Sequence, residues 1–282
     1  MAADDLNPKE FEAYRNLIYR ISGIRVPDSK RSLLSSRIRK CLRSHEGLDF
    51  AAYLHLLASG TDSEETARFI DAVTTNETFF FRHPDQFEWF QSSFITELTL
   101  NARRGLRQKS LRVLSAACST GEEAYSLAIC IAENSLRLRD WDVQVVGTDI
   151  SAEAIRKAES GLYNERSLKE VDDRRRRRYF VRQPEGGTWK VQEKIRQCVS
   201  FRQHNLMDRL AVQPFDCIFL RNVLIYFDRP SRRTVVNNLW NLLAPNGYLV
   251  AGPAEGIYDL LERMTKRSIN LYQNCGPSPS KT

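Results

Sequence analysis

The sequence has few of the residues on which metal sites and nucleophilic enzymes depend. It contains only four histidines, and its six cysteines are scattered with no Cys-x-x-Cys pair. Isolated cysteines inside apolar runs are typical of buried reduced thiols, so neither a zinc site nor a disulfide framework is indicated. No Ser/His/Asp or Cys/His set is recognisable either. We therefore expect no metal and no catalytic triad.

Long apolar runs are also missing. No stretch approaches the roughly 20 consecutive apolar residues needed to cross a bilayer. The N-terminus, MAADDLNPKEF, is acidic and polar, whereas a secretory leader is basic and then apolar. We therefore expect a cytoplasmic protein without membrane insertion. The composition, 42% hydrophobic and 27% charged, predicts order everywhere except in the tail GPSPSKT.

Positive charge, in contrast, is abundant. Lys and Arg outnumber Asp and Glu by 42 to 35, a net charge of +7 that favours an acidic partner. Residues 15–43 alone hold nine Lys/Arg and one acidic residue, Asp28. A helix that begins near Asp28 would carry an apolar stripe opposite a basic face. The stripe consists of Leu34, Ile38, Cys41 and Leu42, and the face of Arg39, Lys40 and Arg43.

The chain divides into a helical first part and a mixed second part. Residues 1–75 have a helical pattern throughout, with glycines as breaks. A second helical piece follows Pro84, which suits a first helical position, and the basic stretch NARRGLRQKS follows as a linker. We predict an all-α N-terminal domain over residues 1–75, a helix and linker over 76–110, and a sheet domain over 111–282.

In the sheet domain, apolar strands alternate with helices. The predicted strands are LRVLSAAC, VQVVGTDI, CVSFRQHNL, FDCIFLRNVLIYF and GYLVAG, and the predicted helices span 122–134, 151–160 and 230–243. Such alternation is typical of an α/β, Rossmann-like fold with a mostly parallel sheet. YFVRQ and TWKVQ flank a Pro-Glu-Gly-Gly turn and predict a small inserted β-hairpin subdomain at about 179–197. For the five consecutive arginines before it, the pattern favours a solvated helix face over a binding patch.

The segment VLSAACSTGEEAYSLAI, residues 113–129, combines a strand, a turn and a helix start that are typical of nucleotide binding. Asp149 ends the next predicted strand, where a carboxylate suits a hydrogen bond to ribose hydroxyls. However, the turn has a single glycine instead of Gly-x-Gly-x-x-Gly, and Glu122 and Glu123 lie where a phosphate would be repelled. We infer a phosphate-free, cationic nucleoside, which S-adenosylmethionine (SAM) fits. The alternative is that both glutamates only stabilise the start of the helix.

The chain resembles the chemotaxis receptor methyltransferases of the CheR family over nearly its whole length. Five motifs in the family's order carry the resemblance: NETFFFR at 76–82, ACSTGEEAYSLA at 117–128, GTDIS at 147–151, NLMD at 205–208 and RNVLIYF at 221–227. Two positions depart from the family pattern. Ala124 replaces a usual proline, and Pro253-Ala254-Glu255 replaces a His-Ser-Glu-like ending, which leaves the role of that loop open.

The resemblance implies a set of site residues. Those that contact or frame the cofactor are Asn76, Thr78, Arg82, Ala117, Glu123, Asp149, Asn205, Leu206, Arg221 and Asn222. It also implies that Arg82 and Tyr226 face the reacting centre as catalytic residues. Without the resemblance, Asn76 would pass as a turn residue and Tyr226 as one more aromatic in a buried strand.

The resemblance further implies a reaction, namely SAM-dependent methylation of glutamate carboxylates on receptor helices to give methyl esters and S-adenosylhomocysteine. The implied partners are the glutamate-rich cytoplasmic helices of membrane chemoreceptors. We expect the enzyme to be a monomer. We expect it to bind these helices through a basic surface that consists of Arg37, Arg39, Lys40 and Arg43. In part of the family the inserted hairpin also binds a receptor peptide, but the loop RQPEGGT is short, so we expect no such tether here.

Two alternatives from other classes remain open at this stage. A nucleic-acid methyltransferase would share the cofactor fold, although enzymes that methylate base amino groups usually carry an Asn/Asp-Pro-Pro-Tyr/Phe segment, and RNVLIYF lacks both prolines. A non-catalytic SAM-binding adaptor would keep the fold for docking. A nicotinamide dehydrogenase is disfavoured by the same two glutamates. We expect no nucleic-acid partner.

Overall fold

The structure, a computed structural model, describes residues 5–45, 47–184 and 186–275. The tail GPSPSKT, for which the composition predicts disorder, lies outside the described residues, as does Glu185 in the predicted hairpin turn.

The N-terminal part is a small all-α domain, as predicted. Its helices are α1 (Pro8–Ser22), α2 (Arg31–Leu42), α3 (Phe50–Ser59) and α4 (Ser63–Val73), with a 3-10 turn at Asp28–Lys30 before α2. Asn7 caps α1, accepting from the Lys9 and Glu10 backbone N–H groups while the Glu10 side chain accepts from the N–H of Asn7. Gly23 and Gly60 end α1 and α3 in the left-handed conformation.

The long helical stretch after Pro84 connects this domain to the sheet. It consists of α5 (Pro84–Trp89), a π-helical segment (Phe90–Phe94) and α6 (Ile95–Arg103). Pro84 occupies the first helical position, where its missing N–H has no partner to lose. The rings of Phe87 and Phe90 are buried against Phe219 in the sheet.

The second part is a mostly parallel seven-stranded sheet covered by helices. Its strands are β1 (Ser110–Ala116), β2 (Asp142–Asp149), β6 (Val199–Gln203), β7 (Phe215–Leu220), β8 (Leu243–Ala251), β9 (Thr265–Ser268) and β10 (Leu271–Gln273), and they lie in the order β6-β2-β1-β7-β8-β10-β9. The flanking helices are α7 (Glu122–Glu133), α8 (Ala152–Ser160) and α11 (Arg229–Trp240). Strands β1, β2, β6, β7 and β8 pair in parallel, whereas β10 pairs antiparallel with β8 and with β9. The predicted fold class is confirmed.

The inserted subdomain lies between β2 and β6. It contains β3 (Leu162–Tyr163), β4 (Phe180–Arg182), β5 (Trp189–Val191), α9 (Asp173–Tyr179) and α10 (Glu193–Arg196). The predicted hairpin is β4 with β5, and β3 adds a third strand along β5. The arginine run forms α9, but Arg175 pairs with Glu133 at 2.9 Å and Arg176 with Glu165 at 2.9 Å. The expectation of a solvated helix face was therefore wrong for these two arginines.

The structure also differs from the sequence prediction near the C-terminus. The run FDCIFLRNVLIYF does not stay extended, because β7 ends at Leu220 and a loop follows, with a 3-10 turn at Leu224–Tyr226. The antiparallel pair β9 and β10 was not predicted. Among the residues that the structure describes, no helix is both long and apolar enough to cross a bilayer.

Candidate functional site

A cleft opens at the carboxyl ends of the central strands β1, β2 and β7, where ligands bind in open α/β sheets. Its volume is about 870 Å³ including the part open to solvent. The structure brings every predicted cofactor residue to its wall, namely Asn76, Thr78, Arg82, Ala117, Glu123, Asp149, Asn205, Leu206, Arg221 and Asn222. Tyr226 lines the same cleft. The roles of these residues in binding stay predictions.

The turn after β1 is held by the backbone of β2. The Cys118 N–H donates to the Thr148 carbonyl at 2.8 Å, and the Ser119 N–H donates to the Asp149 carboxylate at 2.8 Å. Ala117 and Ser119 both adopt positive φ, 59° and 52°, which non-glycine residues rarely do outside functional sites. The turn is therefore held in a tight conformation that presents Ala117 to the cleft.

The single glycine of this turn, Gly121, does not line the cleft. Its φ is +93°, and a Cβ there would lie 2.7 Å from the Cβ of Ala158 and 3.0 Å from the Phe201 ring. Gly121 therefore allows α7 to pack closely against α8 and β6. The glycine of this turn therefore serves packing between elements of the sheet domain.

Asp149 is a buried carboxylate in the wall of the cleft. One of its oxygens accepts from the Ser119 N–H and the other from the Ser151 N–H at 2.9 Å. Burial raises the pKa of Asp149, and these two hydrogen bonds oppose the rise. Each carboxylate oxygen can accept more than one hydrogen bond, so Asp149 retains the capacity to accept from ribose hydroxyls.

The two glutamates at the start of α7 differ from each other in the structure. Glu123 is buried and forms an ion pair with Arg221 at 2.5 Å, while the Ser115 hydroxyl donates to its other oxygen at 2.7 Å. Glu122 does not line the cleft, and its carboxylate accepts from Thr120 and Ser167. The expectation that both carboxylates face the ligand as unpaired charges was therefore wrong, because a buried carboxylate requires local partners.

Arg221 and Asn205 line the cleft but are already engaged with the protein. Besides Glu123, the Arg221 guanidinium donates to the Arg82 carbonyl at 2.6 Å and to the Gln86 side chain at 2.9 Å. The Asn205 amide donates to the Ile21 carbonyl at 2.7 Å. These two side chains frame the cleft by fixing its walls.

Arg82 and Tyr226 stand where this cleft meets a second one. The second cleft shares Thr75, Glu77, Thr78, Arg82, Asn222 and Tyr226 with the first and adds Phe79, Arg166, Lys169 and Ile225. The Arg82 guanidinium lies 5.7 Å from the Phe79 ring centre, and Tyr226 is half-buried in the 3-10 turn. The Arg82 guanidinium donates to the Glu77 carbonyl at 3.4 Å but has no acidic partner at ion-pair distance within the described ranges, so its other donors remain available to an anionic ligand.

Glu255 is a site residue whose role could not be read from the sequence. Its carboxylate is buried and accepts from the Asn222 N–H and from the Leu224 N–H, the latter at 2.7 Å. Asn222 adopts a φ of 59°, so its left-handed turn is held from behind by this carboxylate. The loop PAEGI therefore positions Asn222 and the turn that carries Tyr226. Retention of a glutamate in the departing segment was the only available signal.

The N-terminal domain supplies part of the cleft wall. Ser22 and Ile24 line the cleft, Ile24 forms a β-bridge with Phe227, and the Arg25 N–H donates to the Tyr226 carbonyl at 2.9 Å. These contacts join residues about 200 positions apart in the sequence. No local sequence motif predicts contacts between segments so far apart in the chain.

The predicted basic face of α2 is only partly exposed. Lys40 and Arg43 are exposed, and Arg39 is half-buried. Arg37 is half-buried too, and its guanidinium donates to the Val73 carbonyl and to the Thr75 hydroxyl. Burial lowers the pKa of Arg37. Arg37 therefore ties α2 to the end of α4, a geometry that does not favour the partner-binding role predicted for it.

The cleft fits a nucleoside that carries no phosphate. Asp149 has no cationic partner at ion-pair distance in the described part of the chain, so a phosphate beside it would be repelled. Burial lowers the pKa of His204, which leaves its imidazole uncharged at neutral pH. Ile150, Leu206 and Val223 supply apolar surface for a base. Within residues 5–45, 47–184 and 186–275, no cluster of His, Cys, Asp or Glu has the arrangement of a metal site.

The chain matches two family domains, and the boundary between the two matches falls at the end of the helical domain. Residues 9–74 match the CheR methyltransferase, all-alpha domain, and residues 76–272 match the CheR methyltransferase, SAM binding domain. Together these matches cover the α1–α4 domain and the sheet domain that contains the cleft.

Individual relatives agree over nearly the full chain. The chain is 37% identical to the chemotaxis protein methyltransferase of Escherichia coli strain K12, over 95% of this chain and 91% of that protein. It is also 37% identical to the chemotaxis protein methyltransferase 2 of Pseudomonas aeruginosa, over 88% of this chain and 86% of that protein. A third relative, chemotaxis protein methyltransferase 2 of Vibrio cholerae, is 33% identical over 88% of this chain and 85% of that protein.

Proposed function

The chain belongs to the CheR methyltransferase family and carries its SAM-binding domain, and on this premise we propose that it methylates glutamate side chains of chemoreceptors. The products would be glutamate methyl esters and S-adenosylhomocysteine. The relatives are named chemotaxis protein methyltransferases, which supports a chemoreceptor as the substrate.

The observation that carries the proposal is the meeting of two clefts at Arg82 and Tyr226. One cleft contains Asp149 and fits the nucleoside, and the other opens to solvent past Phe79 and Ile225. A substrate side chain that enters through the second cleft would meet the cofactor between these two residues. This arrangement matches a transfer between two bound reactants, because it places them on opposite sides of one junction.

Bound SAM supplies an electrophilic methyl group on a positively charged sulfur. Asp149 would hold the ribose through its spare lone pairs, and Ile150 and Leu206 would pack on the base. The Glu123–Arg221 pair and Asn205 would keep the walls in place. The chain thus binds and orients the cofactor through a buried carboxylate and a rigid frame.

The reaction needs no general base from the protein. A glutamate with a pKa near 4.3 is already ionised at pH 7, so the incoming oxygen is a nucleophile as it arrives. What the protein must do is orient this carboxylate and keep water from it. The Arg82 guanidinium offers paired donors to it, and the Tyr226 hydroxyl, which lines the same cleft, offers another. Good alignment is worth roughly 7–11 kcal/mol of the barrier.

The test is methylation of the host's own receptors. The protein is incubated with methyl-labelled SAM and membranes from its host, and we expect base-labile label on a receptor-sized band. Arg82→Ala should lower kcat/KM by about ten- to a hundredfold, because a charge-assisted hydrogen bond to the substrate is lost. Tyr226→Phe should lower it less, and both variants should still fold by circular dichroism.

Calorimetry with SAM separates an enzyme from an adaptor. An adaptor would bind SAM without labelling any membrane protein. Near-normal turnover in both Arg82→Ala and Tyr226→Phe, with unchanged SAM affinity, would remove these residues from the reacting centre. A label that resists base would argue against a methyl ester.

A further inference from the structure

We propose that Lys169, laid against Phe79 at the rim of the second cleft, is a substrate-positioning residue that binds another carboxylate of the receptor, close to the glutamate being methylated. This inference rests on the proposed function, because it assigns the substrate chemistry of the same site. It adds a contact outside the basic face of α2, at an exposed residue of the second cleft.

The geometry places Lys169 beside the reacting centre. Its ammonium lies 3.7 Å from the centre of the Phe79 ring, and the Arg82 guanidinium lies 5.7 Å from the same centre. Two cations thus lie near one aromatic ring, and a cation as close to a ring as Lys169 is attracted to it. Lys169 itself is exposed, so its ammonium can reach a ligand that comes from solvent.

The charges around the second cleft are unbalanced. Three cations line it, Arg82, Arg166 and Lys169, and the single acidic residue on its wall is Glu77. Glu77 forms its ion pair with Arg166. Arg82 and Lys169 have no ion-pair partner anywhere in the described residues, which leaves two cations for an incoming ligand. If Arg82 receives the target glutamate, Lys169 receives a second carboxylate.

Two cations beside one aromatic ring suit an acidic helix. Both are in contact with one ring, and side chains one helical turn apart have Cβ atoms about 5–6 Å apart. Ile225, 44% exposed at the same rim, offers an apolar contact beside the two cations. The chemistry that fits is therefore a helical segment with clustered glutamates or aspartates and a neighbouring apolar residue.

The test compares Lys169→Glu and Lys169→Ala with a matched control. Lys194 is also an exposed lysine over an aromatic ring, 5.6 Å from the centre of Tyr179, but it lies on α10, away from both clefts. With receptor-bearing host membranes as substrate, Lys169→Glu should raise KM about fivefold, the upper range for one exposed ion pair, and leave kcat within about twofold. Lys169→Ala should raise KM less, and Lys194→Glu should match the parent. SAM affinity, measured by calorimetry, should be the same in all four proteins.

A receptor variant completes the test. Acidic residues within one turn of the methylated glutamate, located by mass spectrometry, are changed to glutamine. The parent should then lose as much as Lys169→Ala loses, and Lys169→Ala should lose nothing further, since the two changes remove the same contact. An unchanged KM in Lys169→Glu, fully additive losses, or a lowered SAM affinity would each overturn the proposal.

Failure of the proposed function gives a different result. In that case the parent itself produces no base-labile label, whatever the state of Lys169. Co-sedimentation of parent and Lys169→Glu with the same membranes then still decides whether Lys169 binds an acidic partner. Equal binding of the two proteins would reject the contact.

Discussion

At the scale of single residues, two buried carboxylates hold the loops that shape the cleft. Asp149 accepts from the backbone of the turn after β1, and Glu255 accepts from the backbone of the loop after β7. Each loop contains non-glycine residues at positive φ, Ala117 and Ser119 in one and Asn222 in the other. Such conformations cost about 1–3 kcal/mol each and persist only where the surroundings enforce them. The carboxylates therefore maintain the strained loops.

The role of Glu255 predicts the effect of Glu255→Gln. Glutamine has one acceptor oxygen, so one of the two N–H groups of Asn222 and Leu224 would face an amide donor. We expect a loss of about 1–3 kcal/mol in unfolding free energy and a lower SAM affinity, because Asn222 lines the cofactor cleft. Denaturant unfolding and calorimetry measure the two effects. Glu262→Gln, at an exposed glutamate of the same C-terminal region, should change neither.

The raised pKa of Asp149 predicts a pH dependence of cofactor binding. Because burial raises this pKa, the carboxyl takes up its proton at a higher pH than an ordinary aspartate does. The ionised form is needed to accept from ribose hydroxyls while holding two backbone N–H groups. SAM affinity should therefore be level at high pH and fall as the pH is lowered through the raised pKa.

Calorimetric titrations from about pH 8 down to about pH 4, near the ordinary aspartate pKa, measure this dependence. Asp149→Asn should bind SAM weakly with no such decline. Asp142→Asn, at the exposed opposite end of β2, should keep the parent profile. Parent affinity that stays constant across the whole range would contradict the assignment of Asp149 to the ribose.

At the scale of elements, periodicity and capping signals predicted most helices and strands. The predicted helix 122–134 is observed as Glu122–Glu133, and the predicted helix 151–160 as Ala152–Ser160. The strand predicted over residues 215–227 was wrong beyond Leu220, and this error has a physical cause. Apolar periodicity cannot separate a buried strand from a buried turn, and here the carboxylate of Glu255 imposes the turn after Leu220. That carboxylate is remote in the sequence, so the local pattern does not contain it.

Helix α2 shows that the local sequence pattern also does not predict which charged side chains stay exposed. Arg37, Arg39, Lys40 and Arg43 form one basic cluster in the sequence, yet Arg37 reaches Val73 and Thr75 on neighbouring segments. Lys40 and Arg43 remain exposed. A helical wheel identifies which side of a helix is polar, but it does not reveal which polar side chains other elements will engage.

Reversing the exposed charges of α2 should weaken receptor methylation. In Lys40→Glu/Arg43→Glu we expect kcat/KM for receptor-bearing membranes to fall about three- to tenfold at low ionic strength, and less at high salt, because a positive face no longer attracts glutamate-rich helices. SAM affinity should not change. Initial methylation rates at two salt concentrations measure the effect.

The control is Arg103→Glu/Arg104→Glu, two exposed arginines at the end of α6, next to the amino end of β1 and opposite the cleft. It makes the same charge change elsewhere and should behave like the parent. Equal losses in both double variants would show an effect of net charge and not of a docking face.

At the scale of the whole molecule, the site is assembled from both domains. Motifs of the sheet domain supplied the predicted residues, and the structure brings them to one cleft. Ser22, Ile24 and Glu255 reach the same region from the two ends of the chain, through packing that no single motif encodes. The part of the site that follows from strand and turn chemistry was thus predictable, whereas the part that depends on domain docking was not.

Gly23 provides a test of this docking. It ends α1 at a φ of +72°, and a Cβ there would lie 2.6 Å from the sulfur of Met207 in the sheet domain. Gly23→Ala must therefore strain the backbone and displace the Met207 side chain where the two domains meet beside Ser22 and Ile24. We expect it to cost at least about 1–2 kcal/mol in unfolding free energy and to weaken SAM binding by about tenfold.

Gly60→Ala separates the backbone effect from the docking effect. Gly60 also ends a helix, α3, at a φ of +64°, but a Cβ at that position would meet nothing within 4 Å. This variant should show the backbone cost alone and bind SAM like the parent. If Gly23→Ala binds SAM as well as Gly60→Ala does, the helical domain is not a wall of the cofactor cleft, and its contribution is limited to the approach of the substrate.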